Sequence, residues 1–394
     1  MDNKVLFVHD GPILSNQDLT VFYGVHYNDE LINRYLFFGN KVSFLMRHQV
    51  IKDNDTSRYS KITNQAFNFI DLPNFKSIKT YNKKSQSIKI IKKAVDAHDV
   101  IILRLPSAAG TIAFKYAKTK NKPILIEMVA CVYDALWNYD WRGKLIAKYK
   151  MKKYQSILKS ATHVIYVTDI FLQSRYPTNG KSIGCSDVIL KNRDETILEK
   201  RLDKINNLSN EIILGTISAV DVIYKGQAEV IGAIAVKNNK QNAFKYKIVG
   251  QGNPTRLTNL INKLQVNDDV DILGSLSHDK VFNFIDEIDL YIQPSKTEGM
   301  PRAVIEAMSR ACPVVGSNVG GIPELINKES LFEVGSMDGI CTILEKIDKE
   351  TLKKWAIENF ENVKKFRKET LDQYRLSFYN QFKKDYNLDK VNEK

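Results

Sequence analysis

The sequence predicts an α/β protein built from two doubly wound domains that face each other across a cleft. Three observations lead there. Short apolar runs alternate with longer amphipathic stretches, the series restarts near residue 211 after a turn-rich break, and 394 residues are enough for two domains at roughly 100–200 residues each.

In the first half, strands are expected at residues 5–8, 42–46, 66–72, 100–105, 124–129 and 164–168. The runs VIILRL and ILIEMV are continuous, as in strands covered on both faces. Helical patterns lie between them at 85–97, 108–118 and 143–158. Residues 176–186 (YPTNGKSIGCS) are rich in turn formers and are expected to form a loop near a domain edge. In the second half, strands are expected at 212–217, 246–249, 270–273, 290–293 and 314–315, with helices at 227–237, 254–264, 279–287 and 302–309. From about Thr351 the chain is polar and helical in pattern. Its aromatics Trp355, Phe360, Phe366, Tyr374, Phe378, Phe382 and Tyr386 suit helices docked on the body and fraying at the Lys-rich end.

Composition narrows the function. With 43% hydrophobic, 26% charged and 10% aromatic residues, the chain is an ordinary globular one and not a disordered one. No apolar run approaches the ~20 residues of a membrane-spanning helix. The N-terminal apolar stretch is too short for a signal peptide and ends in His9-Asp10-Gly11-Pro12, so neither export nor membrane insertion is expected. Cys131, Cys185, Cys312 and Cys341 are far apart, and the histidines are scattered, which argues against a disulfide scaffold or a zinc site and fits a reducing cytosol. The formal net charge of +13 suits an anionic partner (nucleic acid, a membrane surface or a phosphorylated substrate), or simply a solvated Lys-rich surface.

Ligands of open α/β sheets bind at the carboxyl ends of the strands. The richest such loop is QPSKTEGMPRAVIEAM at residues 293–308. A strand ends at Gln293, a turn follows, and Pro301 stands where a first-turn proline is tolerated, ahead of a helix whose N-terminus is an anion site. Glu298 precedes that helix and Glu306 lies within it, about a turn beyond the anion site. Two carboxylates flanking a phosphate pocket suit a sugar nucleotide, because carboxylates accept hydrogen bonds from hydroxyls strongly. Taken alone, the same residues also suit a helix cap at Glu298 and a surface ion pair at Glu306.

Residues 298–308 (EGMPRAVIEAM), followed by Cys312-Pro313-Val314-Val315 and Gly320-Gly321-Ile322-Pro323-Glu324-Leu325, closely resemble the donor-site signature of family-4 glycosyltransferases, retaining enzymes of the GT-B fold. The resemblance implies that Glu306 holds the nucleotide ribose and Glu298 the hydroxyls of the transferred sugar, with the loop amides near Gly299 and Met300 supporting sugar and diphosphate. Upstream, Leu214-Gly215-Thr216-Ile217 with Asp221 and Tyr224-Lys225-Gly226-Gln227 look like the first strand and loop of the family's donor domain. Lys225 matches the lysine that neutralises the donor diphosphate, where a fixed ammonium stabilises the charge developing on the leaving group. Many members place an arginine just after the strand glycine. Thr216 stands there in this chain, and Arg302 is the suggested substitute cation. Gly250 and Leu276 fall in loops matching the base and ribose pocket.

The first half resembles the family less specifically. Asp10 and Gly11 follow the first strand, where members carry a Gly-containing loop beside phosphates and acceptor. The histidine many members have after the strand matching 124–129 is missing, which leaves Glu127 and Asp134, with Asp10, as acceptor-side catalytic candidates. Asp53-Asn54-Asp55 and Asp269-Val270-Asp271 fit the DxD metal pattern of the other major glycosyltransferase fold, but no metal is expected. The basic stretch WRGKLIAKYKMKKYQSILKS at 141–160 suits either an interfacial amphipathic helix or a solvated face.

The resemblance places an acceptor-side domain at 1–190, a nucleotide-sugar donor domain at 195–365, and a terminal helix in 366–394 that packs back on the first domain. The expected activity is retaining, metal-independent transfer of a sugar from a nucleotide-sugar, UDP-linked, to a hydroxyl of a growing and lipid-linked glycan in bacterial surface polysaccharide assembly. The nucleotide-sugar is a substrate and no cofactor is expected. The expected place is the cytoplasm, peripherally on an anionic inner membrane face. Two alternatives stay open: a GT-B nucleotide-sugar epimerase and, in another class, a basic nucleic-acid-binding protein, for which no recognised motif is present.

Overall fold

Apolar runs that cannot face water on either side become the inner strands of two parallel sheets. The computed structural model describes residues 2–24, 27–51, 59–75, 82–188, 190, 194–238 and 243–388. In the first sheet the strands are β1 (Lys4–Ser15), β2 (Phe22–Gly24), β3 (Lys41–Val50), β4 (Ser60–Lys61), β5 (Phe67–Asp71), β6 (Val100–Leu105), β7 (Ile124–Met128), β8 (His163–Tyr166) and β9 (Lys181–Gly184). The parallel order is β5-β3-β1-β6-β7-β8-β9, with β2 and β4 added antiparallel along the far end of β1. Helices α1 (Asp29–Tyr35), α2 (Lys84–Asp96), α3 (Ala108–Thr119), α4 (Val132–Trp137), α5 (Trp141–Lys159) and α6 (Phe171–Arg175) supply the connections.

After α7 (Thr196–Asn206) comes the second sheet: β10 (Glu211–Ile217), β11 (Ala243–Val249), β12 (Val270–Gly274), β13 (Leu290–Gln293), β14 (Val314–Ser317) and β15 (Leu331–Phe332). Its order, β12-β11-β10-β13-β14-β15, is wholly parallel, with the reversal of direction between β10 and β13. Helices α8 (Gln227–Lys237), α9 (Thr255–Leu264), α10 (His278–Glu287) and α11 (Arg302–Ser309) cross between strands, and α12 (Met337–Glu345), α13 (Lys349–Asn362) and α14 (Lys368–Asp385) complete the chain. In an open sheet the crevice at such a reversal is where ligands settle.

Three local readings need correction. The first strand does not stop at Val8: β1 continues to Ser15 through an irregularity between Val8 and Pro12, so Asp10 and Gly11 lie inside a strand pair and not in a free loop. The turn-rich stretch 176–186 contains β9, which pairs with β8 from His163↔Lys181 onward. It is a short polar edge strand with exposed Lys181 and Ser182, and its pattern carries no hydrophobic period. Pro301 is the N-cap of α11, one position before the first turn. The Asp53-Asn54-Asp55 triplet and the Lys-rich end beyond residue 388 lie outside the described residues.

Helix α14 leaves the second sheet and packs on the first. Leu371, Phe378, Tyr379 and Phe382 join a core with Val5, Phe7 and Phe38. The Tyr379 ring lies 4.6 Å from Phe38, and Phe382 is 5.0 Å from the buried His163. Polar bonds fix the register: His163 Nε2 pairs with Asp385 Oδ2 at 2.8 Å, Lys181 Nζ with the same carboxylate at 2.7 Å, and Arg375 Nη2 donates to Ser186 O at 2.9 Å. Phe382→Ala should therefore destabilise the first sheet by about 3–5 kcal/mol, read as a lower midpoint in chemical denaturation.

Candidate active site between the two sheets

The site grows from the loop between β13 and α11. The Glu298 carboxylate accepts a hydrogen bond from Lys225 Nζ at 2.6 Å and another from Gln293 Nε2 at 3.1 Å. Gln293 is oriented in turn, because its Oε1 accepts from Tyr291 OH at 2.8 Å and its Nε2 also donates to Ser295 Oγ at 2.8 Å. Tyr291 OH accepts from the backbone N–H of Ile217 at 3.3 Å. A continuous chain of bonds thus runs from the end of β10 to the ammonium of Lys225. Burial, together with the charges of Glu298 and Glu306, pushes the Tyr291 phenol well above its ordinary value, so it stays a neutral donor.

Lys225 owes its place to Gly226. That residue sits at φ +78°, and a Cβ there would meet Pro294 O at 1.9 Å, so a side chain would force the lysine loop off the loop between β13 and α11. The two loops are also bonded, Lys296 N–H to Tyr224 O at 2.7 Å, and Lys296 Nζ pairs with Glu229 at 2.6 Å.

Helix α11 begins at Arg302 with Pro301 as N-cap and no side-chain cap bond. Its first amides and positive dipole end face the region where the loop ends. Glu306 lies half-buried on this helix. Burial lowers the Arg302 guanidinium below its ordinary value, and Asp187, Arg104, Glu306 and Tyr27 are within electrostatic reach.

The loop between β13 and α11 also touches the first sheet. A Cβ on Gly299 would lie 2.5 Å from Val129 O, just after β7, so only glycine allows this approach. Asn138 Nδ2 donates to Lys296 O at 3.2 Å, and Met300 packs against the cores of both halves. Glu324, in the Gly-Gly-Ile-Pro-Glu turn, accepts from the N–H groups of Asp169, Ile170 and Phe171 at 2.6, 3.2 and 2.7 Å, capping α6 across the gap. Where β10 ends, a cleft of about 650 Å³ is lined by Pro12, Tyr27 and Gln49 from the first half and Ile217, Gly250 and Leu276 from the second.

The structure brings Lys225, Glu298, Gly299 and Met300 together, and puts Gly250 and Leu276 on the wall of the adjoining cleft. Gly11 stands beside it, where a Cβ would meet Tyr27 OH at 2.9 Å. Thr216 does not face a phosphate position: it is fully buried, its Oγ1 donating to Ile292 O at 2.6 Å and accepting from Tyr246 OH at 2.8 Å. The Asp10 carboxylate accepts from the N–H groups of Ala108 and Ala109 at 2.5 and 2.9 Å, at the start of α3. Glu127 is buried, with Tyr35 OH at 2.9 Å on one oxygen and Arg104 Nη1 at 3.0 Å on the other. Asp134 lies in the first turn of α4, 3.6 Å from Arg175 Nη1. In this geometry all three carboxylates serve internal partners. Asp269 pairs with Lys245 at 3.1 Å, and among the described residues no group of three or more metal-ligating side chains gathers.

Residues 199–369 match the family described as Glycosyl transferases group 1. Protein CapJ of Staphylococcus aureus is 29% identical over 391 residues, covering 98% of this chain and 97% of CapJ. This chain is a glycosyltransferase whose match to group 1 lies in its second half. A second relative, the putative colanic acid biosynthesis glycosyltransferase WcaL of Salmonella typhimurium, is 26% identical over 239 residues, 58% of this glycosyltransferase and 55% of WcaL. Among solved structures, Anabaena HepE in complex with UDP aligns with a TM-score of 0.66 at 14% identity, over 96% of this chain and 100% of that one. The fold of the enzyme is GT-B.

Sequence reasoning missed a charge network at the carboxyl ends of β6 and β7. Arg104 pairs with Glu127 and with Asp187, and Arg34 reaches Asp187 at 3.5 Å. Arg104 and Arg34 hold the Asp187 carboxyl far below its ordinary value despite burial. Asp187 follows β9 just past the turn-rich stretch, where no motif marks it. A carboxylate so depressed contributes stability that is complete above its unfolded value of about 3.9 and is lost as pH falls toward the folded value. Asp187→Asn should cost roughly 3–5 kcal/mol at neutral pH by taking from Arg34 its carboxylate partner and leaving Arg104 with Glu127 alone, and should flatten the acid side of a plot of denaturation midpoint against pH.

Proposed function

We propose that the enzyme moves a sugar from a UDP-sugar to a hydroxyl of a growing, lipid-linked glycan in bacterial surface polysaccharide assembly, with retention at the anomeric carbon and without a metal. The observation that carries this reading is the Lys225–Glu298 pair held at the start of α11, with Glu306 on the same helix. A diphosphate placed there meets an ammonium and a helix N-terminus. Both stabilise negative charge as the glycosidic bond breaks, and both are fixed before the reaction begins. Glu298, oriented by Gln293, accepts from hydroxyls of the sugar, and Glu306 accepts from the ribose. The glycan setting is supported by the colanic acid role in the name of WcaL, and a UDP donor by the ligand named with HepE.

With Asp10, Glu127 and Asp134 committed to internal partners, the reading gives proton removal from the acceptor hydroxyl to a donor phosphate oxygen on the same face. Arg302 supplies the second cation in place of an arginine after Gly215. Cytoplasmic catalysis on donor made inside the cell completes the proposal. No described helix is long and apolar enough to cross a membrane.

A panel of nucleotide-sugars incubated with the protein alone should show slow hydrolysis of one UDP-sugar; equal inertness of all would count against the donor reading. In calorimetry, Glu306→Ala should weaken UDP binding by roughly 1.5–3 kcal/mol, the worth of a hydrogen bond to a charged group. Unchanged affinity in a folded variant would remove the ribose assignment. Lys225→Ala should lower kcat, because diphosphate charge grows toward the transition state. Wild-type turnover should persist in a chelator; loss restored by added magnesium would overturn the metal-independent scheme.

A further inference from the structure

Helix α5 is amphipathic in an inverted sense. Gly143, Ala147, Tyr154, Ile157 and Leu158 face the protein. The opposite face, at the i, i+4 spacing of one stripe, carries Trp141, Leu145 and Tyr149, which are 67%, 73% and 68% exposed. Large apolar side chains normally occur singly on a surface; here they form one row, continued by Tyr139 in the preceding turn and Trp137 at the end of α4. Lys144, Lys148 and Lys152 form a parallel row beside it, and Arg142 stands on the other side. Across its 19 residues α5 has seven Lys or Arg and no Asp or Glu, so nothing on the helix neutralises the rows.

We propose that this face docks on an anionic lipid bilayer, with Trp141, Leu145 and Tyr149 entering the interface and the flanking cations meeting lipid phosphates. Charge complementarity selects the partner: an unbroken row of cations beside an apolar ridge matches a surface that is anionic at the headgroups and apolar beneath. Trp and Tyr prefer that boundary, where the ring is sheltered and the polar tip stays wet. Lysine stems lie along the apolar layer and lift their ammonium groups to the phosphates. Helix α4 connects the face to the donor loop. It starts beside the Val129 carbonyl that Gly299 approaches, and Asn138 at its end donates to Lys296 O. The docked face therefore adjoins the mouth of the site. Delivery of a lipid-linked acceptor to that mouth rests on the function proposed above; the docking itself does not.

The test uses the full chain with vesicles of phosphatidylcholine alone or mixed with phosphatidylglycerol, at low and moderate salt. Trp137 and Trp141 are exposed whereas Trp355 is buried, so tryptophan emission reports this face. The expected result is sedimentation with the anionic vesicles only, weakened by salt, with a blue shift of emission. Trp141→Ser combined with Leu145→Ser and Tyr149→Ser should lower vesicle affinity roughly tenfold or more, and Lys144→Glu with Lys148→Glu and Lys152→Glu should abolish the preference for anionic lipid. Both variants replace exposed residues, and retained UDP binding verifies the fold apart from the membrane result. Vesicle binding by the triple-serine variant equal to wild type would overturn the proposal. So would an unshifted emission at low salt, or a wild-type dimer that the serine variant dissociates, which would make the face a subunit contact.

Discussion

The loop between β13 and α11 has to satisfy both halves of the molecule at once, and the rest of the site follows from that constraint. Its Glu298 must stay on Lys225, which ties the loop to the end of β10 through Tyr291 and Gln293. Its Gly299 must pass against Val129 of the first sheet, where a single extra carbon would collide. The loop can meet both demands because interiors are close-packed and adjust little. Moving the halves apart at Val129 would release Met300 from both cores, while moving Glu298 would strand a lysine and a glutamine. The Lys225–Glu298 pair and the contact between the two halves are therefore mechanically joined.

A second set of polar groups holds the first half ready for that contact. Arg104, Glu127, Asp187 and Arg34 form a half-buried network at the strand ends, and Arg302 of the second half lies within its electrostatic reach. Such networks contribute little net stability compared with apolar packing, but breaking one member is costly. Their value here is positional. They fix the strand ends of β6 and β7, and with them the stretch after β9 through which the chain leaves the first sheet. Glu324 capping α6 adds a further polar tie from the second half. The return of α14 to the first sheet then covers the aromatic side of its core.

Much of the fold was legible in the chain because its signals are local. Runs such as VIILRL suit a strand buried on both faces, and the restart of alternation near residue 211 marks the second sheet. The loop between β13 and α11 stood out for the same reason, with glycine, proline and two glutamates at fixed spacing around one helix start, and the resemblance to a family signature gave it an expected role. Elements without a local period escaped. Strand β9 is a polar edge strand inside a turn-rich stretch, and the continuation of β1 past Gly11 depends on pairing with β3. Gln293 was visible as the end of a strand, but its role in orienting Glu298 was not.

The sequence by itself determined two parallel α/β sheets and marked the loop that carries Glu298 ahead of the helix with Glu306, together with the turn that carries Lys225. The sheets rest on periodicity, which any folded form of the chain must obey, and the loop and the lysine stood out through resemblance to a family signature. Only the tertiary structure decided how residues far apart in the chain share their charges. It set Asp10 on the amides of α3, Glu127 between Tyr35 and Arg104, and Thr216 between neighbouring strands. It also turned the apolar row of α5 outward while small residues of the same helix faced the core. A carboxylate's function depends on which donors reach it, and a helix face on what packs against it. Both are fixed by contacts between distant segments, and no local pattern in the chain encodes them.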